Sequence, residues 1–181
     1  MPRLVPRPLL REQTTLVTTQ ASQEPSVITP KYLLVSARFD GGEKESFARA
    51  IHKELYALGV NAFMVEANPG GEYGDQTMYG LDQMYAMLAV CYDTYGAKTS
   101  SPYSAYEELK YANEQGIRIV PLKLCSDWPP APRDANGKKA GAAQNRFVFK
   151  PSLVYLEAQG LSAAQCALTV KEALGPSDGE V

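Results

Sequence analysis

Histidine is nearly missing from this chain: His52 stands alone among 181 residues. A Ser/His/Asp catalytic order is therefore not available. With three scattered cysteines as the remaining soft ligands, a structural zinc site lacks a ligand set. Cys91, Cys125 and Cys166 are odd in number and show no CxxC spacing, which fits reduced thiols in a reducing compartment. An excess of one charge is lacking too. Eighteen basic and 20 acidic side chains leave a formal charge of −2, without the basic surplus of a general nucleic-acid binder. Nucleotide-sized anions stay open, because a few local donors suffice for them. No apolar run approaches the ~20 residues of a membrane-spanning helix. The opening segment, Met1 to Leu10, is basic but broken by Pro2, Pro6 and Pro8, unlike a signal peptide. These absences point to a cytoplasmic protein with neither nucleic acid nor membrane as partner.

What is present is an alternation of apolar patterns. Residues 1–30 hold prolines, threonines, serines and glutamines with no periodic apolar face, and are expected to form a disordered N-terminal arm. From Lys31 the pattern changes. Tyr32-Leu33-Leu34-Val35-Ser36 is a short continuous apolar run, the mark of a strand buried on both faces. A loop, Ala37 to Gly42, leads into a helix with Phe47, Ile51, Leu55 and Leu58 at helical spacing. Asp40 and Glu43 fit a capping box, and Gly59 suits the C-terminal cap. Val60 to Glu66 reads as a second strand, Ala67 to Asp75 as a long glycine-rich loop, and Gln76 to Tyr85 as a weaker helix. Ala86 to Cys91 reads as the third strand, followed by a polar, flexible loop from Tyr92 to Ser101.

Pro102, preceded by a serine, is expected to open a third helix that runs to Gln115 and ends at Gly116. Ile117 to Leu124 reads as the fourth strand, with Pro121 near its end or at a bulge. A long loop from Trp128 to Gln144 then precedes a fifth strand within Phe147 to Leu156. Ser162 with Gln165 resembles a capping box for a last helix carrying Cys166, Val170 and Leu174 on one side. The expectation is one α/β domain over 31–175 with a short tail, 176–181. Its fold is flavodoxin-like and three-layered, a five-stranded parallel sheet in the order 2-1-3-4-5 with helices on both faces.

In such a sheet, ligands bind beyond the carboxyl ends of the strands. Arg38, Phe39 and Asp40 sit on the first of those loops, and Tyr92, Asp93 and Tyr95 on the third. An arginine, aromatics and acidic groups at one rim suit a nucleotide better than an apolar ligand. On the third helix, at about 100° per residue, Ala105, Leu109 and Ala112 cluster within about 60° and define the buried stripe. Glu107 lies about 160° from that stripe, beside Lys110 and Glu114 on the solvated face. Glu108 lies only about 60–70° away, at the edge of the core, in the second turn. Glu108 is thus either a boundary glutamate that pairs with a neighbouring loop or a carboxylate placed for chemistry near the strand ends. His52 reads as a surface histidine. The glycines Gly70, Gly71 and Gly74 lack the lysine-serine ending of a phosphate loop and read as a mobile connection.

The order of these motifs resembles the Toll/interleukin-1 receptor (TIR) domain. Tyr32 to Asp40 is similar to the family's opening box, "hydrophobic strand, Ser-Tyr-Arg-x-Asp", with Ala37 where an aromatic is usual. The loop ending Gly74-Asp75 resembles its long second loop. Ser104-Ala105-Tyr106-Glu107-Glu108-Leu109, followed by Tyr111-Ala112, resembles the third-helix signature, with Ser104 and Ala105 in place of a Trp-Cys pair. Ile119-Val120-Pro121-Leu122 is similar to the fourth strand. The likeness covers residues 31–125 in register and extends loosely to 175.

Many members of that family cleave NAD at the nicotinamide–ribose bond, while receptor and adaptor members only assemble. The resemblance implies Glu108 as the catalytic residue, because it is the glutamate before the leucine. It implies Ala37, Arg38, Phe39, Asp75, Tyr92 and Ser104 as the substrate-binding set. NAD is then the substrate, with no cofactor or metal, and the products are nicotinamide with ADP-ribose or a cyclic isomer, in immune or cell-death-type signalling. Self-association through TIR–TIR contacts is implied as well. Two alternatives carry different chemistry: a non-catalytic scaffold that signals by self-association, and an enzyme like the nucleoside deoxyribosyltransferases, whose glutamate attacks covalently.

Overall fold

The computed structural model describes residues 31–65 and 73–175. The N-terminal arm, the core of the glycine-rich loop and the tail expected from the sequence lie outside the described residues. Five parallel strands make one sheet: β1 (Tyr32–Ser36), β2 (Ala62–Phe63), β3 (Met84–Cys91), β4 (Arg118–Lys123) and β5 (Leu156–Glu157). Their order is β2-β1-β3-β4-β5, as expected. Five helices cover the sheet: α1 (Glu43–Ala57), α2 (Tyr73–Gln83), α3 (Ala105–Glu114), α4 (Ala140–Val148) and α5 (Ala163–Leu174).

The period of two along β1 separates the layers. Leu33 and Val35 join Ala48, Ile51 and Leu55 of α1 and Cys166, Ala167 and Val170 of α5 in one core. Leu34 points the other way, into a core shared with Leu81 of α2, Ala105, Leu109 and Ala112 of α3, and Val148 of α4. The two strand ends behave differently. Between β1 and β3 the register shifts after Tyr32, which partners Met84 while Leu33 partners Ala86. Tyr85 is the extra residue of that bulge, and its ring is exposed.

Several boundaries depart from the expected ones. The second strand keeps only two residues, and the third begins two residues earlier, at Met84. Helix α2 begins at Tyr73, so Gly74 and Asp75 are helical, not part of a loop. At α1 the residue before the helix is Gly42, and no side chain caps it. Asp40 Oδ1 instead accepts the Gly42 N–H at 3.0 Å, and Glu45 Oε2 accepts the Gly41 N–H at 2.7 Å. The other end is as expected: Gly59, at φ +78°, donates to the Tyr56 carbonyl while Val60 donates to that of Leu55.

Pro121 sits inside β4 opposite Ala89, without a bulge. Parity along the strand explains this. Leu124 N–H donates to Cys91 on the β3 side, whereas the Lys123 carbonyl accepts Ala158 N–H on the β5 side. Pro121 has the parity of Lys123, and β5 pairs only with Leu122 and Lys123. The missing N–H therefore faces a stretch where the ladder has no partner.

The largest departure is α4, which stands where a loop followed by a strand was expected. Its helix-favouring alanines are legible, but its N-terminus is held from a distance: Asp134 Oδ2 accepts the Ala140 N–H and Oδ1 that of Gly141 at 3.1 Å. The capping box of α5 is formed in both directions by Ser162 and Gln165, as expected.

Candidate functional site

The loops after β1 and β3 and the start of α3 meet at the carboxyl end of the sheet and enclose a cavity of about 410 Å³. Ala37, Arg38 and Phe39 line it from the first loop, Thr94, Gly96 and Ala97 from the second, and Ser104 and Ala105 from α3. Phe39 is held in place by Arg49, whose guanidinium lies 5.2 Å from the ring centre and is itself paired with Glu45 at 2.8 Å.

The loop after β3, expected to be flexible, is tied down. Tyr95, Gly96 and Ala97 are buried. Tyr95 N–H closes a turn on the Tyr92 carbonyl, and Lys98 N–H donates to Asp134 Oδ1 at 2.9 Å. Gly96, at φ +74°, admits no side chain, because a Cβ there would strike Asn145 Oδ1. Gly141 is equally constrained by the Gly96 carbonyl and by Asp134 Oδ1. One wall of the cavity is thus built on the N-terminus of α4, an element the sequence reading did not contain.

Helix α3 begins three residues later than expected. Ser101 Oγ accepts the Tyr103 N–H in a local turn, Pro102 remains outside the helix, and Ser104 occupies the N-cap. Glu108 consequently falls in the first turn, where the helix dipole favours a carboxylate. The wheel register holds: Ala105, Leu109 and Ala112 are buried, Lys110 pairs with Glu114 at 3.9 Å, and Glu107 is half-exposed. Glu108 goes deeper than the edge of the core, with 2% of its surface exposed.

Its carboxylate is met by Ser36 Oγ, which donates to Oε2 at 2.6 Å. Ser36 Oγ in turn lies 3.0 Å from Tyr95 Oη. Burial pushes the Glu108 carboxyl up to about 7, and the Ser36 hydrogen bond works against that rise. Burial also pushes the Tyr95 phenol well above its ordinary range, with Cys91 beside it adding to the effect. Glu108 adjoins the cavity through its two neighbours. Ser104, whose carbonyl accepts the Glu108 N–H, lines it, and Ser36 precedes the lining residue Ala37.

Of the residues singled out from the sequence, Ala37, Arg38, Phe39 and Ser104 are brought together, with Glu108 adjoining. Tyr92 and Asp75 are not. Tyr92 packs toward the α1/α5 core, with Lys44 Nζ 5.3 Å from its ring centre. Asp75 is exposed on α2 and lines a separate depression of about 490 Å³ with His52, Phe63 and Tyr79. His52 is half-buried there, its Nε2 3.1 Å from the Ala62 carbonyl.

Thr94 and Ser36 enter the site unforeseen as participants, while Tyr95, expected at the ligand rim, is instead fully buried against Ser36. Ser36 had a usable signal, since it shares the parity of Leu34 and so faces α3. Thr94 had none, and neither did the inward turn of Tyr95, because their turn is shaped by Asn145 and Asp134. Thr94 Oγ1 and Ser104 Oγ are buried at the cavity wall without a hydrogen-bond partner, a costly state that a polar ligand would relieve. Among the described residues, no cluster of histidine, cysteine or acidic side chains could hold a metal ion, and no helix is long and apolar enough to cross a membrane.

Compared with known proteins, the chain matches no family model and no curated protein.

Proposed function

We propose that the chain is a TIR-type NAD glycohydrolase, with Glu108 as its catalytic carboxylate. The observation that carries this reading is a buried, hydrogen-bonded carboxylate adjoining a cavity lined by Arg38, Phe39 and several hydroxyls at the carboxyl end of a parallel sheet. In this reaction the bond between ribose C1′ and the nicotinamide nitrogen breaks. Its electron pair leaves with the nicotinamide, which departs neutral and needs no general acid. Positive charge develops on the ribose, as in other glycosidic cleavages. A carboxylate about 4 Å away at an effective dielectric near 20 stabilises that charge by about 4 kcal/mol. Realised mainly in the transition state, this is on the order of a thousandfold in rate. Water then adds at C1′ and releases its proton to solvent, or an internal nucleophile of the substrate closes a cyclic product.

Arg38 at the rim supplies a cation for the diphosphate, Phe39 a face for a ring, and Thr94 and Ser104 two hydroxyls for sugar oxygens. Assembly into like–like oligomers in the cytoplasm, as part of immune or cell-death-type signalling, belongs to the same proposal. Incubation with NAD followed by chromatography for free nicotinamide tests it, and absence of nicotinamide from concentrated protein overturns it. A second reading, a scaffold in which Glu108 only fastens α3 to β1, draws support from the near-complete burial of that side chain. It requires that NAD stay intact at every protein concentration.

A further inference from the structure

We propose that Ser36 and Tyr95 are positioning residues for Glu108, forming a directed hydrogen-bond chain from the Tyr95 phenol through the Ser36 hydroxyl to the carboxylate, which holds that group as an acceptor. The inference rests on the reading of Glu108 as the working carboxylate and adds the groups that govern it.

The chain lies wholly inside the protein. Ser36 and Tyr95 are both 0% exposed, and Glu108 is 2% exposed. Ser36 Oγ donates to Glu108 Oε2 at 2.6 Å, a length typical of a hydroxyl bound to a charged oxygen. Having spent its proton, Ser36 Oγ accepts, and Tyr95 Oη stands 3.0 Å away to donate. Tyr95 is locked at both ends: Asn145 Nδ2 donates to its carbonyl at 2.8 Å, and its ring packs on Phe149 at 6.2 Å between centres.

Proton counting gives the chain a sense. With Glu108 ionised, both hydroxyl protons have acceptors. With Glu108 protonated on Oε2, that oxygen becomes a donor, the Ser36 hydroxyl must turn its own proton elsewhere, and the 2.6 Å bond from Ser36 to a charged oxygen is lost. The chain therefore favours the ionised carboxyl and opposes the effect of burial, and successive bonds polarise one another. The other titratable groups nearby do not substitute for it. Cys91 of β3 acts on the Tyr95 phenol, Glu107 is half-exposed on α3, and no lysine, arginine or histidine forms an ion pair with Glu108 among the described residues.

The test reads the Glu108 titration directly. Carboxyl-carbon NMR on glutamate-labelled protein, assigned with Glu108→Gln, follows its midpoint in the whole chain. Ser36→Ala should move that midpoint upward by about one unit or more, the scale of one hydrogen bond to a charged group. Tyr95→Phe, which keeps the ring, should move it upward by a smaller amount. The acidic limb of the nicotinamide-release profile should move with it in each variant. An unchanged or lowered midpoint in Tyr95→Phe overturns the chain, even if Ser36→Ala does not fold. Upward shifts with no nicotinamide release from the parent protein would leave the chain standing and remove the NAD-cleaving reading instead.

Discussion

The carboxyl of Glu108 titrates near 7 when folded, against about 4.5 for the free group, because burial disfavours its charge. Below about pH 4.5 both folded and unfolded chains are protonated there, and the group costs nothing. As pH rises toward and through 7, the unfolded chain ionises first and the folded state loses stability, by on the order of 3 kcal/mol once the folded carboxyl is also charged. Glu108→Gln keeps an oxygen for Ser36 and removes the charge. It is expected to raise the melting temperature at pH 8 by roughly 5–10 °C while leaving pH 4.5 nearly unchanged. Calorimetry at the two pH values checks this, and an equal shift at both would rule out the charge as its cause.

On the proposed mechanism, the same substitution is expected to lower nicotinamide release by about a thousandfold, because it removes the charge assigned there to stabilising the developing cation. Glu107→Ala, at a half-exposed position where the side chain makes no hydrogen bond or ion pair among the described residues, should stay within ~0.5 kcal/mol of parent stability and keep the activity. Equal loss at both positions would indicate general damage to α3. A residue that is more stable without its charge yet inactive would be an instance of stability given up at a working site.

At the scale of elements, the N-terminus of α4 and the loop after β3 form one unit through Asp134. Its carboxylate is opposed by burial but held below the usual range by the N–H groups of Lys98, Gly141 and Ala140. Asp134→Ala should destabilise the protein by about 2–4 kcal/mol, since it strips three backbone donors of their acceptor. Hydrogen exchange should quicken first at the Lys98, Ala140 and Gly141 amides; uniform quickening across the sheet would argue against a local unit. Gly141→Ala tests the packing half of that unit. A methyl there meets the Gly96 carbonyl, and a loss of about 1–3 kcal/mol is expected in denaturant titration. Elements with local signals were legible: α1 ends at Gly59, α3 at Gly116, and α5 begins with its own capping box. Helix α4 was not, because its cap comes from a residue six positions away, whereas a local capping signal lies within the residues next to the first turn.

For the whole molecule, the two cores on either side of the sheet place the cavity at the strand ends, where loops from β1 and β3 are adjacent in space though far apart in sequence. If activity depends on copies assembling, specific nicotinamide release should rise with protein concentration. Enzyme assays from dilute to concentrated sample, read beside sedimentation, check this; constant specific activity with a monomer throughout would count against assembly as part of the function.

Alternation of apolar runs with helical periods was enough, by itself, to mark the first four strands and a parallel sheet, because strands separated by helices need crossover connections; the fifth strand lies later than expected, at Leu156–Glu157, with α4 in the stretch before it. Helical spacing likewise separated Glu108 from Glu107. The tertiary structure alone decided which polar groups meet. Asp75 and Tyr92 were drawn elsewhere by α2 and by the α1/α5 core. Thr94 and Tyr95 were brought in by a turn anchored on Asn145 and Asp134, and Ser36 became the partner of Glu108 across 72 positions of sequence. Periodicity reports which face of an element is buried, since burial acts on each element separately; a hydrogen bond between elements depends on their relative placement, which no local pattern contains.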